Sequence, residues 1–589
     1  MTDKIYQNNY TDLNFPFNIF AHAFYLQEGI VDYLHYGVFH KGESIQNISV
    51  REIQQRSIDL LFSYLPPPPS RILVIDIGLG TTALQLAERG YTVTGISSGS
   101  QQVDLAEQQV KNNNVTLESV SFEAFSAPAE SYEVIIFQQS AQSIESLTLF
   151  NKAHNLLTTH GVILIADEIG LQRTSKHLTY HLPALTYTLA QAKRCGFELV
   201  EQIDLSTQTA PMVDYLLWVI EKLQVALLAD LKLEPIILKN LLSTLKDYQQ
   251  KYADGHYGYV LLNFAKAKPP RWKITSVTAQ DKNTIRELFS EVFEPQKMSD
   301  AFWEWKYGQD RGLGIVAWRD NNMIAHYGGI MREIRYFGQP KRAVQITDVM
   351  VSTKERGVLT RSGAFFLTMA TFLEEYIGYG AHTWVGYGFP TERHLKLAQH
   401  LKLYGTVGKM TELRWKTTPD KPHLSIRFRL LIPHLKKNKL IVDKLWEKMA
   451  SCLQNSLVGI RDFSHIQHRY LSHPHNHYEL LLLTKRFTGK LLGILIIKRE
   501  EEVCQIMDFI GDLKHIPEAI KQVQRIAGNW GMQQIKLWIT ENFVTAFPLQ
   551  DAEQQPLDIL IPHNIWSQSF PPEEIDGHWW LMGGDTDFL

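Results

Sequence analysis

The chain has 589 residues, 44% of them hydrophobic and 21% charged, with a formal net charge of −3. Its length predicts three or four domains, and its near balance of charge gives no footing for a nucleic-acid partner. It contains no long uncharged apolar stretch, so no membrane span is expected.

The start, MTDKIYQNNY, lacks the charged-then-apolar order of a secretory signal. Cys195, Cys452 and Cys504 are far apart in sequence. They predict neither a disulfide framework nor a zinc site, and they fit a cytoplasmic protein. PPPPS at 66–70 is a stiff spacer after an N-terminal helical region. Strand and helix patterns then alternate: RILVIDIG, YTVTGIS, SYEVIIFQQ and VILIADE read as strands, with TALQLAERG, SQQVDLAEQQVKNN and SLTLFNKAHNLLTTHG as the helices between them. This alternation predicts a parallel sheet with helices on both faces. CGFELVEQIDLS and YGYVLLNFAK predict two more strands. The amphipathic segment of about 211–255 between them predicts a helical insertion over the sheet's ligand edge.

Within the first strand and turn, VIDIGLGTTA at 74–83, Gly78 and Gly80 remove side chains where the backbone must bend and a ligand can approach. Their spacing satisfies the G-x-G-x-x-G/A fingerprint, which leaves NAD and S-adenosylmethionine (SAM) both open. Asp76 favours SAM. A pyrophosphate needs the bare positive end of a helix, and a carboxylate two residues before the first glycine opposes it. SAM carries a sulfonium and an ammonium, which an acid attracts.

KAKPPRW at 266–272 marks a boundary, with Pro269 and Pro270 as breakers. WKITSVTAQDKNTIRELFSEVF then predicts strand, turn and helix. LGIVAWRDN, NMIAHYGGIMREIRYFG and KRAVQITDVMV predict antiparallel strands. The helix RSGAFFLTMATFLEEYIGYG, the strand HTWVGYGFP and a helix through HLKLAQHLKLYG follow. A last boundary is expected near 416–423. Beyond it the pattern repeats: 301–330 aligns with 462–498, and a period near 160 residues predicts a duplicated domain. HPHNH at 473–477 is packed into one loop and reads as polar loop before metal site.

Residues 71–168 resemble the class I SAM-dependent methyltransferases, through VIDIGLGTTALQLAERGYTVTGIS. The likeness extends less specifically over 20–268, including YLQEGIVDYLHYGVF. It implies Asp76, Gly78 and Gly80 around the methionine part of SAM and Glu123 near its adenine. Gln138, Gln139 and Ser140 would face the methyl-transfer centre. Tyr25, His35 and Tyr36 would close the pocket, with His35 a candidate base. Ser97 takes the ribose position, where an acid is usual, and so departs from the pattern.

ITDVMVSTKERG at 346–357 resembles the fourth strand and pyrophosphate loop of the GNAT N-acyltransferases, with Asp348, Val349, Val351, Arg356 and Gly357 in step. The resemblance implies acyl-CoA held along the strand and at a helix N-terminus, with Arg356 and Arg361 adding charge-assisted bonds. The loop runs RGVLTRSG, with Leu359 where a glycine is expected and Gly363 arriving late. YGFPTERHLKLAQHLKLYG resembles the family's closing strand and helix. His400 then stands at the position that protonates the leaving thiolate, and Asp348 is placed to accept the amine proton. Residues 424–589 keep the strand pattern without an arginine-glycine loop and resemble a degenerate second copy.

These readings predict an α/β chain. A Rossmann-like methyltransferase domain with a mostly parallel seven-stranded sheet would span 1–268, followed by two GNAT-like α+β domains at 271–415 and 424–589. The expected function is a bifunctional transferase in a biosynthetic pathway. It would methylate a small-molecule acceptor from SAM and N-acylate from acetyl-CoA or another acyl-CoA. The alternative is a methyltransferase with a non-catalytic GNAT-like module that binds a substrate or a carrier protein.

Overall fold

RILVI, the first strand (β1, Arg71–Ile75), buries four of its five residues. A strand covered by helices on both faces requires such an unbroken aliphatic run. The computed structural model describes residues 12–171, 182–357, 360–379, 381–419, 425–431, 436–567 and 569–589. The chain divides into two units, Met1–Thr275 and Ser276–Leu589.

In the first unit, α1 (Phe17–Glu28) and α2 (Val50–Phe62) precede β1. After it come α3 (Thr81–Glu88), β2 (Thr92–Ser97), α4 (Ser100–Gln109), β3 (Val115–Ser119), β4 (Tyr132–Gln138), α5 (Ser146–Leu156) and β5 (Leu157–Gly170). Next are α6 (Leu185–Arg194), β6 (Phe197–Asp204), α7 (Ser206–Thr209), α8 (Pro211–Asp230), α9 (Pro235–Ala253) and β7 (Tyr257–Lys266). The sheet has seven strands in the order β3-β2-β1-β4-β5-β7-β6. All neighbours are parallel except β7, which runs antiparallel to β5 and β6. This is the expected Rossmann-like, mostly parallel sheet. Strand order reverses between β1 and β4, so the crevice beyond their C-terminal ends is the switch point where such sheets bind ligands. Helices α8 and α9 occupy the segment read as an insertion. Each begins with proline at its first turn, where a missing amide costs nothing. They pack with α1 around Phe24, Tyr215, Leu216 and Leu241.

The second unit follows the strand β8 (Lys273–Ser276) and holds two mostly antiparallel sheets. Helices α10 (Lys282–Val292) and α11 (Asp300–Tyr307) lead into an antiparallel run of β9 (Gly312–Arg319), β10 (Asn322–Tyr336) and β11 (Gln339–Val351). Helix α12 (Ala364–Tyr376) then crosses to β12 (Val385–Gly388), which is parallel to β11. After α13 (Glu392–His400), β13 (Tyr404–Lys416) and β14 (Ile426–Leu430) come α14 (Lys436–Cys452), β15 (Leu457–Gly459) and α15 (Phe463–Ile466). The order then recurs: antiparallel β16 (Glu479–Lys485), β17 (Leu491–Glu500) and β18 (Val503–Gly511), crossing helix α16 (Ile516–Asn529), and β19 (Gln534–Thr540) parallel to β18. Strands β20 (Glu553–Asn564) and β21 (Trp579–Trp580) complete the chain.

The expected cut near 416–423 does not divide these sheets. β13 lies between β19 and β20, while β15 and β21 extend the sheet of β10. Residues 271–415 and 424–589 therefore exchange strands. Among the described residues no helix is long and apolar enough to cross a membrane.

Candidate active site

β1 and β4 end in the same unusual way. Asp76 follows β1 with φ 58° and Gln139 follows β4 with φ 52°. Both are non-glycine residues in the left-handed region, a strain that clusters at ligand sites. The Asp76 carboxylate lies 2.9 Å from Ser97 Oγ at the end of β2. Burial raises its pKa, the Ser97 bond opposes this, and the nearby Glu123 charge adds to it. Ser97 Oγ also lies 2.6 Å from Gln102 Oε1 and accepts from the Gly99 amide. Ser97, the residue expected at the ribose position, is thus paired with Gln102, which the sequence reading missed.

The two glycines separate in role. Gly78 has φ 57°, and a Cβ built there meets nothing within 4 Å. It leaves open space beside Asp76. Gly80 caps α3 with φ 86°, but its Cβ would lie 2.9 Å from Ala106 Cβ and Val110 Cγ2. Gly80 therefore lets α3 pack closely on α4.

At the end of β4, Gln138 Nε2 is buried without a hydrogen-bond partner. The Tyr36 amide donates to Gln139 Oε1 at 2.5 Å, which ties the N-terminal segment to this rim. Ser140 is buried and its hydroxyl donates to the Ile75 carbonyl at 3.3 Å. His35 Nδ1 lies 2.9 Å from the Tyr36 carbonyl, which can only accept, so Nδ1 carries the proton. Nε2 is then the lone-pair nitrogen, buried and unpartnered. Burial pushes the His35 pKa down to about 4, so the ring is neutral at pH 7. Glu123 is exposed in the loop after β3. Tyr25 lies on α1 with its ring against His22, packed in the helical layer.

A buried acidic pair completes the site and was missed, although VILIADE ends in it. Asp167 and Glu168 stand near the end of β5, with side chains almost wholly enclosed. Asp167 accepts from the amides of Gln142 (3.0 Å) and Glu168 (2.8 Å). Glu168 accepts from the hydroxyls of Tyr252 on α9, at 2.8 Å, and Tyr36. Burial raises Asp167 to about 8 and Glu168 to about 7. Tyr36 stacks on Tyr259 at 6.2 Å. The inserted helix α9 thus reaches the ligand edge through Tyr252.

Residues 74–165 match the methyltransferase domain family. The N-terminal unit therefore holds a class I, SAM-type methyltransferase domain, and the match does not extend to the second unit. Two curated relatives are a 23S rRNA (uracil(747)-C(5))-methyltransferase of Pyrococcus horikoshii and a ubiquinone biosynthesis O-methyltransferase of Bartonella tribocorum. The first is 28% identical over 79 residues, 13% of this chain and 19% of that protein. The second is 24% identical over 127 residues, 21% of this chain and 50% of that protein. The chain thus spans half or less of the relatives it matches. Among solved structures, a putative sarcosine dimethylglycine methyltransferase of Galdieria sulphuraria is similar at 17% identity and TM-score 0.38, covering 44% of this chain and 99% of that one. A cyclopropane synthase of Mycobacterium tuberculosis is similar at 16% identity and TM-score 0.36, covering 44% and 96%.

In the second unit the expected acyl-transfer residues lie on β11, in the loop between it and α12, and on α13. Register slips between β10 and β11 at Asp348, whose φ is 48°. Such bulges recur next to active sites. However, the Asp348 carboxylate is engaged by Lys306 Nζ at 2.8 Å and by the Tyr307 hydroxyl. Lys306 also binds Asp587 at 2.7 Å. Burial opposes the charged lysine, but Asp348 and Asp587 overcome it and raise its pKa. Asp348 is thus tied to two neighbouring side chains, Lys306 and Tyr307. Val349 and Val351 are half-buried on the same strand. Arg356 and Gly357 are exposed, and Arg356 Nε donates to the Val351 carbonyl at 3.2 Å. Arg361 lies over the Trp566 ring at 5.2 Å, and Gly363 caps α12. Leu359 lies outside the described residues. His400 is exposed as the last residue of α13.

The second sheet repeats the first at this point. β18 slips register against β17 beside Asp508, and Asp508 accepts from the Tyr470 hydroxyl at 3.0 Å. Its cation is Arg461, 2.9 Å away and also bound to Asp585.

Proposed function

We propose that the N-terminal unit transfers a methyl group from SAM to a small-molecule acceptor. The observation that carries this reading is the pair of strained strand ends, Asp76 and Gln139, around the open space at Gly78. Buried, unpartnered atoms of Gln138 and His35 face the need for a ligand, and the acid at Asp76 suits a cationic cofactor better than a pyrophosphate. SAM supplies an electrophilic methyl group on a sulfonium. The protein's share is to orient, to exclude water and to take a proton. His35 Nε2 accepts a hydrogen bond from the acceptor. Glu168, with a pKa near 7, takes the proton that the acceptor loses. Tyr36 and Tyr252 hold that carboxylate in place and keep bulk water from it.

The direct test is unfolding of the full chain with SAM or NAD added. SAM at a hundred times its dissociation constant stabilises the unit by about 2.7 kcal/mol, and Asp76→Ala loses this gain. Stabilisation by NAD in place of SAM overturns the reading.

For the second unit we infer a GNAT-like module that binds acyl-CoA without transferring its acyl group. The engagement of Asp348 by Lys306 favours this over catalysis. Arg356, Arg361 and the N-terminus of α12 suit a diphosphate. Acetyl-CoA is expected to raise the unfolding midpoint, Arg361→Gln to abolish the rise, and no thiol to be released with amines present. Thiol release restores the bifunctional reading. No rise points to a substrate or carrier module.

A further inference from the structure

Three elements of the second unit meet around Trp305, and two of them carry an arginine without a carboxylate partner among the described residues. Arg311 immediately precedes β9, and Arg332 lies on β10. The third element is α15, which runs into a single π turn, Gln467–Leu471, carrying His468 and Arg469. π turns inside helices are uncommon and collect at functional sites. Trp305 joins the parts. Its carbonyl accepts from Arg311 Nη2 at 3.4 Å, its indole donates to the His468 carbonyl at 2.8 Å, and its ring stacks on His468 at 5.6 Å.

Neither arginine forms an ion pair with a carboxylate among the described residues. Arg332 offers Nε and Nη2 to a neutral acceptor, Gln345 Oε1, at 3.0 and 2.9 Å. Arg311 donates to Gln309 Oε1 and to the backbone, and its Nε is buried with no partner. The carboxylates nearby are already engaged: Asp585 by Arg461, Asp587 by Lys306, Glu304 by Lys282 and Glu333 by Arg342. Burial, then Arg332, lowers the pKa of Arg311, and the Glu304 carboxylate only partly opposes this. Burial followed by Arg311, Arg332 and Arg469 pushes His468 down to about 3, and His465 falls for similar reasons. Yet Arg311, Arg332, His465 and His468 are each only half-buried, so each keeps some access to solvent. Like charges held together in a partly enclosed cleft are costly without a counter-ion, and a guanidinium fork matches a carboxylate or phosphate in shape.

We propose that this cleft binds an anionic group, a carboxylate or a phosphate, of a small-molecule ligand through Arg311 and Arg332. The two imidazoles are neutral and supply hydrogen bonds rather than charge. The site is separate from the Arg356–Gly363 loop proposed above for acyl-CoA and does not depend on that reading.

The test uses the full chain and compares thermal unfolding in chloride, inorganic phosphate and acetate at equal ionic strength. An anion at about five times its dissociation constant raises the midpoint by about 2 °C. The rise is expected in the wild type, in Arg342→Gln on exposed strand surface, and in Arg361→Gln at the acyl-CoA loop. It is expected to vanish in Arg332→Gln and, independently, in Arg311→Gln. A rise with phosphate alone assigns a phosphate ligand, and one with acetate alone a carboxylate. The proposal is overturned if neither anion acts, if all variants respond equally, or if Arg361→Gln loses the effect while Arg332→Gln keeps it.

Discussion

Carboxylates are buried at strand ends in both units, but with different company. In the first unit Asp167 and Glu168 meet amides and tyrosine hydroxyls, and no described cation pairs with either. In the second, Asp348 and Asp508 stand at matching register slips, each with a tyrosine hydroxyl and a buried cation, Lys306 or Arg461. A buried acid without a counter-ion is retained only where something else is gained. The first unit leaves its acids available to ligand chemistry, whereas the second uses them to tie strand, helix and C-terminal segment together.

The largest expected effect separates these roles. Lys306→Met leaves Asp348 and Asp587 buried without their cation, and the second unit should lose about 3–5 kcal/mol. Glu168→Gln, by contrast, keeps the shape and needs no counter-ion, so the first unit should change by about 1 kcal/mol or less. Urea unfolding followed by probes in each unit measures both. Equal losses would erase the distinction.

The pH dependence should differ in sign. Burial raises Asp167 to about 8 and Glu168 to about 7, so the folded state binds more protons than the unfolded one. Stability of the first unit is then full below the ordinary carboxylate range and falls as pH rises toward 8. Asp587 is the opposite case. Burial opposes its charge, but Lys306 prevails and lowers its pKa. Its contribution is present above the ordinary carboxylate range and is lost in acid. Melting curves from pH 4 to 8 should show the first unit weakening where the second holds, and Asp167→Asn with Glu168→Gln should flatten the first slope.

These contrasts also show what the sequence makes legible. The β1 turn was readable because strand, glycines and helix follow one another within a few residues, and α8 and α9 because their apolar faces persist over several turns. The exchange of β13 was not readable. Its alternating pattern fits either antiparallel sheet, and its partners lie more than a hundred residues away. Lys306 was hidden for the same reason: nothing local to WEWKYG announces Asp348 or Asp587. His400 was placed by resemblance, and the exposed end of α13 gives it no enclosed site. Asp167 and Glu168 were visible at the end of VILIADE, but a pair of acids at a strand end also marks ordinary turns until burial is known.

The two glycines of the β1 turn give the finest version of the comparison. Gly80→Ala puts a methyl group 2.9 Å from Ala106, and overpacking of this kind costs about 1–3 kcal/mol. It should lower stability whether or not SAM is present, with the gain from SAM largely kept. Gly78→Ala meets no protein atom within 4 Å, so its cost is the left-handed backbone alone, about 1 kcal/mol. The added methyl instead occupies the open space beside Asp76, where a cofactor would lie. Gly78→Ala should therefore be the milder change in the free protein and the more severe one for SAM, reducing the midpoint gain at fixed SAM concentration by more than Gly80→Ala does. If Gly78→Ala keeps the full gain, the open space at that turn is not where the cofactor sits, and the assignment of the site to the β1–β4 crevice fails with it.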